Sequence, residues 1–207
     1  MSDKGLTLLG KRNLLDWYKE DPLNFCEHYV FGKQTRVKFS KVGVHKTRDR
    51  LDYVYSDLWG PNGVPSKSEG RYYMTLIDDS RMVWVYILKS KDEAFPTFIK
   101  WKAKVEKQTG RKVCCLMTDN GLEYCNKEFN GFCNREGIVI HRTCTGAPPQ
   151  TGVAERMNMM LCDRARSMLS HVGVSKDFSA DQVINTACYL VNRSSSMTIG
   201  NKTSFEV

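Results

Sequence analysis

Residues 113–118, VCCLMT, are almost wholly apolar and stop abruptly at Asp119-Asn120-Gly121. A run this short suits a strand covered on both faces, and Asp-Asn-Gly is a strong turn signal. A strand buried on both sides needs helices above and below it, so this one segment demands an α/β layer arrangement. The flanking sequence supplies the rest. LDYVYSD (51–57) alternates as a strand, and RYYMTLID (71–78) and MVWVYIL (82–88) read as two more, joined by a tight turn at Asp78-Asp79-Ser80. Residues 92–107 and 124–136 have helical spacing, IVIH (138–141) is a short strand, and helices over 152–170 and 177–192 close the pattern. The order βββαβαβα with a terminal helix predicts a mixed five-stranded sheet flanked by helices. A boundary near residue 50 separates this main domain, 51–207, from a small N-terminal appendage, 1–50, with a short helical pattern over Leu6, Leu8, Leu9, Leu14, Leu15 and Trp17.

The charge is uneven. Of the formal +8, most of the surplus lies in residues 33–50, where Lys33, Arg36, Lys38, Lys41, Lys46, Arg48 and Arg50 are set against Asp49 alone among acids. Such a segment attracts phosphates through counterion release, and it reads equally as a solvated basic linker. No run of eighteen apolar residues occurs and the N-terminus lacks the layout of a signal peptide, so neither a membrane nor a secretory role is supported. An intracellular protein of the nucleus or cytoplasm is expected. The eight cysteines follow no disulfide framework. Cys26 and His28 offer half of a metal knuckle, but Tyr29 stands where a second thiolate is needed, and no zinc site is expected.

Three carboxylates stand out. Asp57 ends one strand and Asp119 ends the buried one, and Glu155 lies in the first turn of the helix beginning near Gly152. Val153, Met157, Met160, Leu161, Met168 and Leu169 form that helix's core stripe, and at about 100° per residue Glu155 faces away from it. Each acid has an ordinary explanation, as a turn cap or as a complement to a helix dipole. Together they allow another. Neighbouring strand ends can converge, a helix can bring a third acid to them, and the resulting repulsion is relieved by divalent cations, with Mg²⁺ or Mn²⁺ suited to hard oxygen ligands. Two such ions activate an attacking oxygen and stabilise the leaving oxygen of a phosphodiester. The neighbouring pair Asp78 and Asp79 is assigned to its turn, not to a metal.

SDLWGP (56–61), IDDSRMVWVYILKSKDE (77–93), TDNGLEY (118–124) and GVAERMN (152–158) resemble the integrase core of copia-type LTR retrotransposons, a branch of the retroviral integrase and transposase group. That family has an RNase H-like fold and an Asp, Asp, Glu triad with thirty-five residues between the last two, the interval found here between Asp119 and Glu155. The resemblance implies that Asp57, Asp119 and Glu155 hold two Mg²⁺ or Mn²⁺ ions, that the partner is double-stranded DNA, both element ends and target, and that an active form is a homo-oligomer. It implies 3′-end processing by water followed by strand transfer, the DNA integration reaction. Residues 1–50 then resemble a truncated pre-integrase segment, and Met1 and Val207 resemble cuts within a longer Pol polyprotein. Gln150 matches a position that contacts DNA ends in the family and reads otherwise as a loop residue. Arg156 and Asn158, placed beside Glu155 on the exposed side, are expected either to meet DNA phosphates or to be solvated, and Lys33, Arg36, Lys38, Lys41 and Lys46 are the basic candidates upstream.

Two departures from the family pattern carry structural expectations. The turn at 77–81 is one residue short, which is expected to shift the register of the hairpin. Leu122 replaces a second glycine after TDNG, which is expected to strain the turn that orients Asp119. A non-catalytic nucleic-acid-binding remnant is the alternative that such departures leave open.

Overall fold

A computed structural model describes residues 3–12, 14, 27, 49–60, 69–119, 121–143, 152–172 and 180–207. The basic residues Lys33, Arg36, Lys38, Lys41 and Lys46, the Cys26–His28 half-knuckle and Gln150 lie outside the described residues. Helix α1 (Asp3–Lys11) precedes strands β1 (Tyr53–Trp59), β2 (Tyr72–Ile77) and β3 (Val83–Leu88). A 3₁₀ turn (Lys91–Glu93) leads into α2 (Ala94–Thr109), followed by β4 (Cys115–Thr118), α3 (Leu122–Cys125), α4 (Lys127–Arg135), β5 (Val139–Arg142), α5 (Gly152–Val172) and α6 (Ala180–Asn192).

The five strands form one mixed sheet in the order β3-β2-β1-β4-β5. The β1–β2 and β2–β3 pairs are antiparallel, as their short connections allow, and β1–β4 and β4–β5 are parallel, with α2 carrying the chain from β3 to β4 and α3 and α4 carrying it from β4 to β5. Alternation along the strands divides the core into two layers. Val54, Met74, Leu76 and Leu116 face Phe98 and Trp101 of α2 and Phe129 and Cys133 of α4. Tyr53, Tyr55, Ile77 and Met117 face Ala154, Met157 and Leu161 of α5 and Ile184, Ala187 and Val191 of α6. The interior strand β4 is buried at all four positions, as its mostly apolar character demands. Six cysteines are free among the described residues, three of them buried, in keeping with apolar packing rather than a disulfide frame. No helix among the described residues is long and apolar enough to cross a membrane.

Helix α2 ends on Gly110 at φ +68, a left-handed cap in which the glycine N–H donates to the Glu106 carbonyl. Within α2, Lys102 is drawn into the core layer with its side chain only 6% exposed, held by Glu106 Oε2 at 3.0 Å and Glu136 Oε2 at 2.8 Å. Glu106 also accepts from the Val113 amide at 2.9 Å and from Lys112 at 3.1 Å, so one carboxylate ties α2 to the entry of β4.

The structure corrects three expectations. The segment read as one helix over 124–136 is two, because Asn126 leaves helical geometry and its side chain accepts from the Phe129 amide at 2.6 Å, capping α4. The short hairpin does not shift register: the ladder runs unbroken from Tyr72↔Leu88 to Ile77↔Val83. Its loop closes because Arg81 takes φ +63 and Asp78 Oδ1 accepts from Ser80 Oγ at 2.6 Å and the Met82 amide at 2.9 Å. Leu122 is not strained; it begins α3, has no left-handed φ, and is 85% exposed.

Candidate active site

Register alone brings two of the three carboxylates together. In the parallel β1–β4 pair Tyr55 is opposite Met117, and two residues further along stand Asp57, in β1, and Asp119, just past the end of β4. A step of two keeps both on the face of Tyr55 and Met117, which α5 covers through Ala154, Met157 and Leu161. Glu155 lies in the first turn of that helix and is partly exposed.

Burial pushes the Asp57 carboxyl above the usual aspartate range, the charge of Asp119 pushes it further, and that of Glu155 adds to both. Hydrogen bonds from the Leu58 amide (2.9 Å) and Asn158 Nδ2 (2.7 Å) act in the opposite sense. Asp119 Oδ1 accepts from the Gly121 amide at 3.0 Å, which fixes the turn after β4. Beneath the site the fully buried Tyr124 of α3 hydrogen-bonds to Ser56 at 2.8 Å, pinning the Asp119 turn to β1. Burial raises the Tyr124 phenol, and the charges of Asp57, Asp119 and Glu123 raise it further.

Asn158 is not where the sequence placed it. Its side chain is 0% exposed, its Nδ2 donates to Asp57 and its Oδ1 accepts from Thr75 Oγ1 at 2.8 Å. With both ends of its amide engaged inside the fold, it is corrected from a DNA-facing residue to one that orients Asp57. Thr75, the cross-strand partner of Asp57, completes the arrangement, with its hydroxyl 3.3 Å from the Asp57 carbonyl. Sequence reasoning missed Thr75, which carries no signal beyond its strand. Asn158 did carry one. It lies four residues after Ala154 and three before Leu161, both buried, so it belongs to the helix's inward stripe, where a polar side chain must be partnered. Arg156 is exposed on α5 beside Glu155, as expected.

Replacing Asn158 by alanine removes the donor to Asp57 Oδ2 and the nearer of the two acceptors of the buried Thr75 hydroxyl. We expect a loss of about 1–3 kcal/mol, read as a lower urea midpoint at unchanged slope.

An all-oxygen donor set of mutually repelling carboxylates has the chemistry that suits Mg²⁺ or Mn²⁺. Among the described residues no three acidic, histidine or cysteine side chains are drawn close enough to enclose an ion. Asp57, Asp119 and Glu155 are therefore electrostatic neighbours, not a closed cage.

No protein-family model matches the chain. Over 200 residues it is 44% identical to the retrovirus-related Pol polyprotein from transposon TNT 1-94 of Nicotiana tabacum, a match covering 96% of this chain and 15% of that protein. Over 169 residues it is 29% identical to the retrovirus-related Pol polyprotein from transposon RE2 of Arabidopsis thaliana, covering 81% of this chain and 11% of that protein. The chain thus spans only a small part of these relatives. Among solved structures, the fold is similar to the HTLV-2 integrase catalytic core domain in complex with magnesium, with TM-score 0.55 and 21% identity over 76% of this chain and 95% of that one. It is also similar to a chain of the simian T-cell lymphotropic virus intasome in complex with the PP2A regulatory subunit B56 gamma, with TM-score 0.62 and 17% identity over 98% of this chain and 73% of that one.

Proposed function

The chain is a segment of a copia-type retrotransposon Pol polyprotein with the retroviral integrase catalytic-core fold, and from that premise we propose that it carries out metal-dependent DNA integration through Asp57, Asp119 and Glu155. The observation that supports this reading is the parallel β1–β4 register, which sets Asp57 level with Asp119 on the sheet face that α5 covers, with Glu155 in the first turn of that helix.

Asp57, Asp119 and Glu155 would hold two divalent cations, Mg²⁺ or Mn²⁺, which supply activation of the attacking oxygen and charge stabilisation at the leaving oxygen. The protein's own part is positioning. Asn158 and the Leu58 amide fix both oxygens of Asp57, the Gly121 amide holds Asp119, and the first turn of α5 presents Glu155. In end trimming a water oxygen bonds to phosphorus and the 3′-oxygen of the element strand departs. In strand transfer that freed 3′-hydroxyl bonds to a target phosphorus and the target's own 3′-oxygen departs. Neither step passes through a covalent protein intermediate. Duplex DNA is the partner, met by Arg156 and by the basic residues Lys33, Arg36, Lys38, Lys41 and Lys46 with Gln150, and a homo-oligomer brings two DNA ends to one target.

The test is incubation of the chain with short duplexes ending in the element's terminal sequence and a supercoiled target. Joined products are expected with Mn²⁺ and none with EDTA. Duplex binding with neither trimmed nor joined product would overturn the catalytic reading and leave a DNA-binding module.

A further inference from the structure

One acid next to the site has no place in the chemistry just described. Glu123 sits in the first turn of α3, two residues beyond Gly121, yet its side chain is only 4% exposed. Its Oε1 is 3.4 Å from Lys91 Nζ at the entry to α2, and its Oε2 is buried without a hydrogen-bond partner. Burying a carboxylate oxygen in this way is costly, and a fold that retains it needs a reason.

The geometry around Gly121 supplies the reason. A Cβ built on Gly121 would lie 2.8 Å from Glu123 Cδ, 2.9 Å from Glu123 Oε1 and 2.9 Å from Asp119 Oδ1. Both carboxylates are therefore packed against the same α-carbon, and the space between them is what the missing side chain leaves. The backbone at Gly121, with φ −56, is open to any residue, so a side chain here would meet the two carboxylates and displace them rather than strain the backbone. We propose that Glu123 is a positioning residue for Asp119: held by Lys91, its carboxylate backs the Asp119–Gly121 turn and, by bulk and like charge, keeps the Asp119 carboxylate from swinging toward α3. The inference rests on the assignment of Asp119 to the reaction centre, and it makes Lys91 and Gly121 parts of the same device.

The experiment has a metal-free arm and a catalytic arm. The Gly121 amide, which donates to Asp119 Oδ1, reports the turn directly. Its hydrogen exchange, followed by NMR without metal, is expected to be about ten-fold faster in Glu123→Gln and in Glu123→Ala than in the unmodified chain, while the Leu116 and Met117 amides of β4 keep their protection. In the joining assay the Glu123→Gln chain is expected to need about ten-fold more Mn²⁺ for half-maximal product, with duplex affinity unchanged. Glu128→Gln, which removes a nearby exposed acid on α4, is expected to move neither readout by more than about two-fold and so separates positioning from loss of net charge. Unchanged Gly121 exchange in both Glu123 variants overturns the inference, whether or not the chain joins DNA. Faster exchange in a chain that joins no DNA upholds the positioning role and overturns the catalytic reading instead.

Discussion

A Glu155→Gln chain is expected to fold normally and to lose about 10³-fold or more of its Mn²⁺-dependent strand transfer. The substitution keeps the side chain's volume and removes one anionic oxygen donor. Metal stabilisation of charge in the transition state is worth several kcal/mol, and each ~1.4 kcal/mol is a factor of ten in rate. Its structural cost is small, since Glu155 is partly exposed in the first turn of α5 and forfeits at most about 1 kcal/mol of helix-dipole interaction. A steady-state joining assay at saturating DNA, paired with thermal denaturation, separates the two effects. Equal joining by both chains would remove Glu155 from the reaction. A loss of joining that merely tracked a loss of folded protein would assign it a structural role.

The second large effect concerns stability. Glu106→Ala is expected to cost about 2–4 kcal/mol, because it removes an acceptor from the buried Val113 amide and one of the two carboxylates that hold the buried Lys102 ammonium. For a domain of this size that corresponds to roughly 6–12 °C in melting temperature. The pH dependence identifies the cause. Burial pushes the Glu106 carboxyl up, but the Val113 amide and the Lys102 and Lys112 ammoniums outweigh it and leave the carboxyl below the ordinary glutamate value of 4.5. A carboxyl lowered by folding stabilises the fold above its unfolded value and loses that contribution as pH falls through its folded value. The difference between the two chains is therefore expected to be full near neutrality and to narrow on acidification below 4.5. A difference that stayed constant from pH 7 to pH 3 would assign the loss to packing alone.

The Asn158, Glu123 and Glu155 experiments probe one construction at three depths. In the proposed reaction Glu155 would hold the metal, while Asn158 fixes Asp57 from above the sheet and Glu123 backs Asp119 from α3. Loss of any one is expected to reach the reaction by a different route: Asn158→Ala through both stability and Asp57, Glu123→Gln through the Asp119 turn, and Glu155→Gln through the reacting atoms alone.

Much of this fold was legible in local sequence. Period-two alternation located β1, β2 and β3, the short apolar run located β4, and helical spacing located α2, α5 and α6, because each of these patterns reflects which side of an element meets the core. The three carboxylates became candidates from their positions at strand ends and in a helix's first turn, and from the family resemblance that the thirty-five-residue interval between Asp119 and Glu155 matches. The break at Asn126 was missed because capping depends on where a single residue leaves helical geometry, which periodicity averages away. The hairpin register was misjudged because a left-handed Arg81 absorbs the missing residue, and a loop's dihedral angles are not written in the hydrophobic pattern.

What the tertiary structure alone decided is which residues stand level with one another. Asp57 stands level with Asp119 because a parallel register sets Tyr55 against Met117, Asn158 reaches Asp57 because α5 crosses β1 at that point, and Glu123 shares an α-carbon's space with Asp119. Local sequence fixes the period and the inward face of each element, because both follow from backbone geometry within a few residues. Contacts between elements a hundred residues apart depend on how whole layers dock, and there the burial of a polar side chain, and hence its role, is settled by the neighbour it meets.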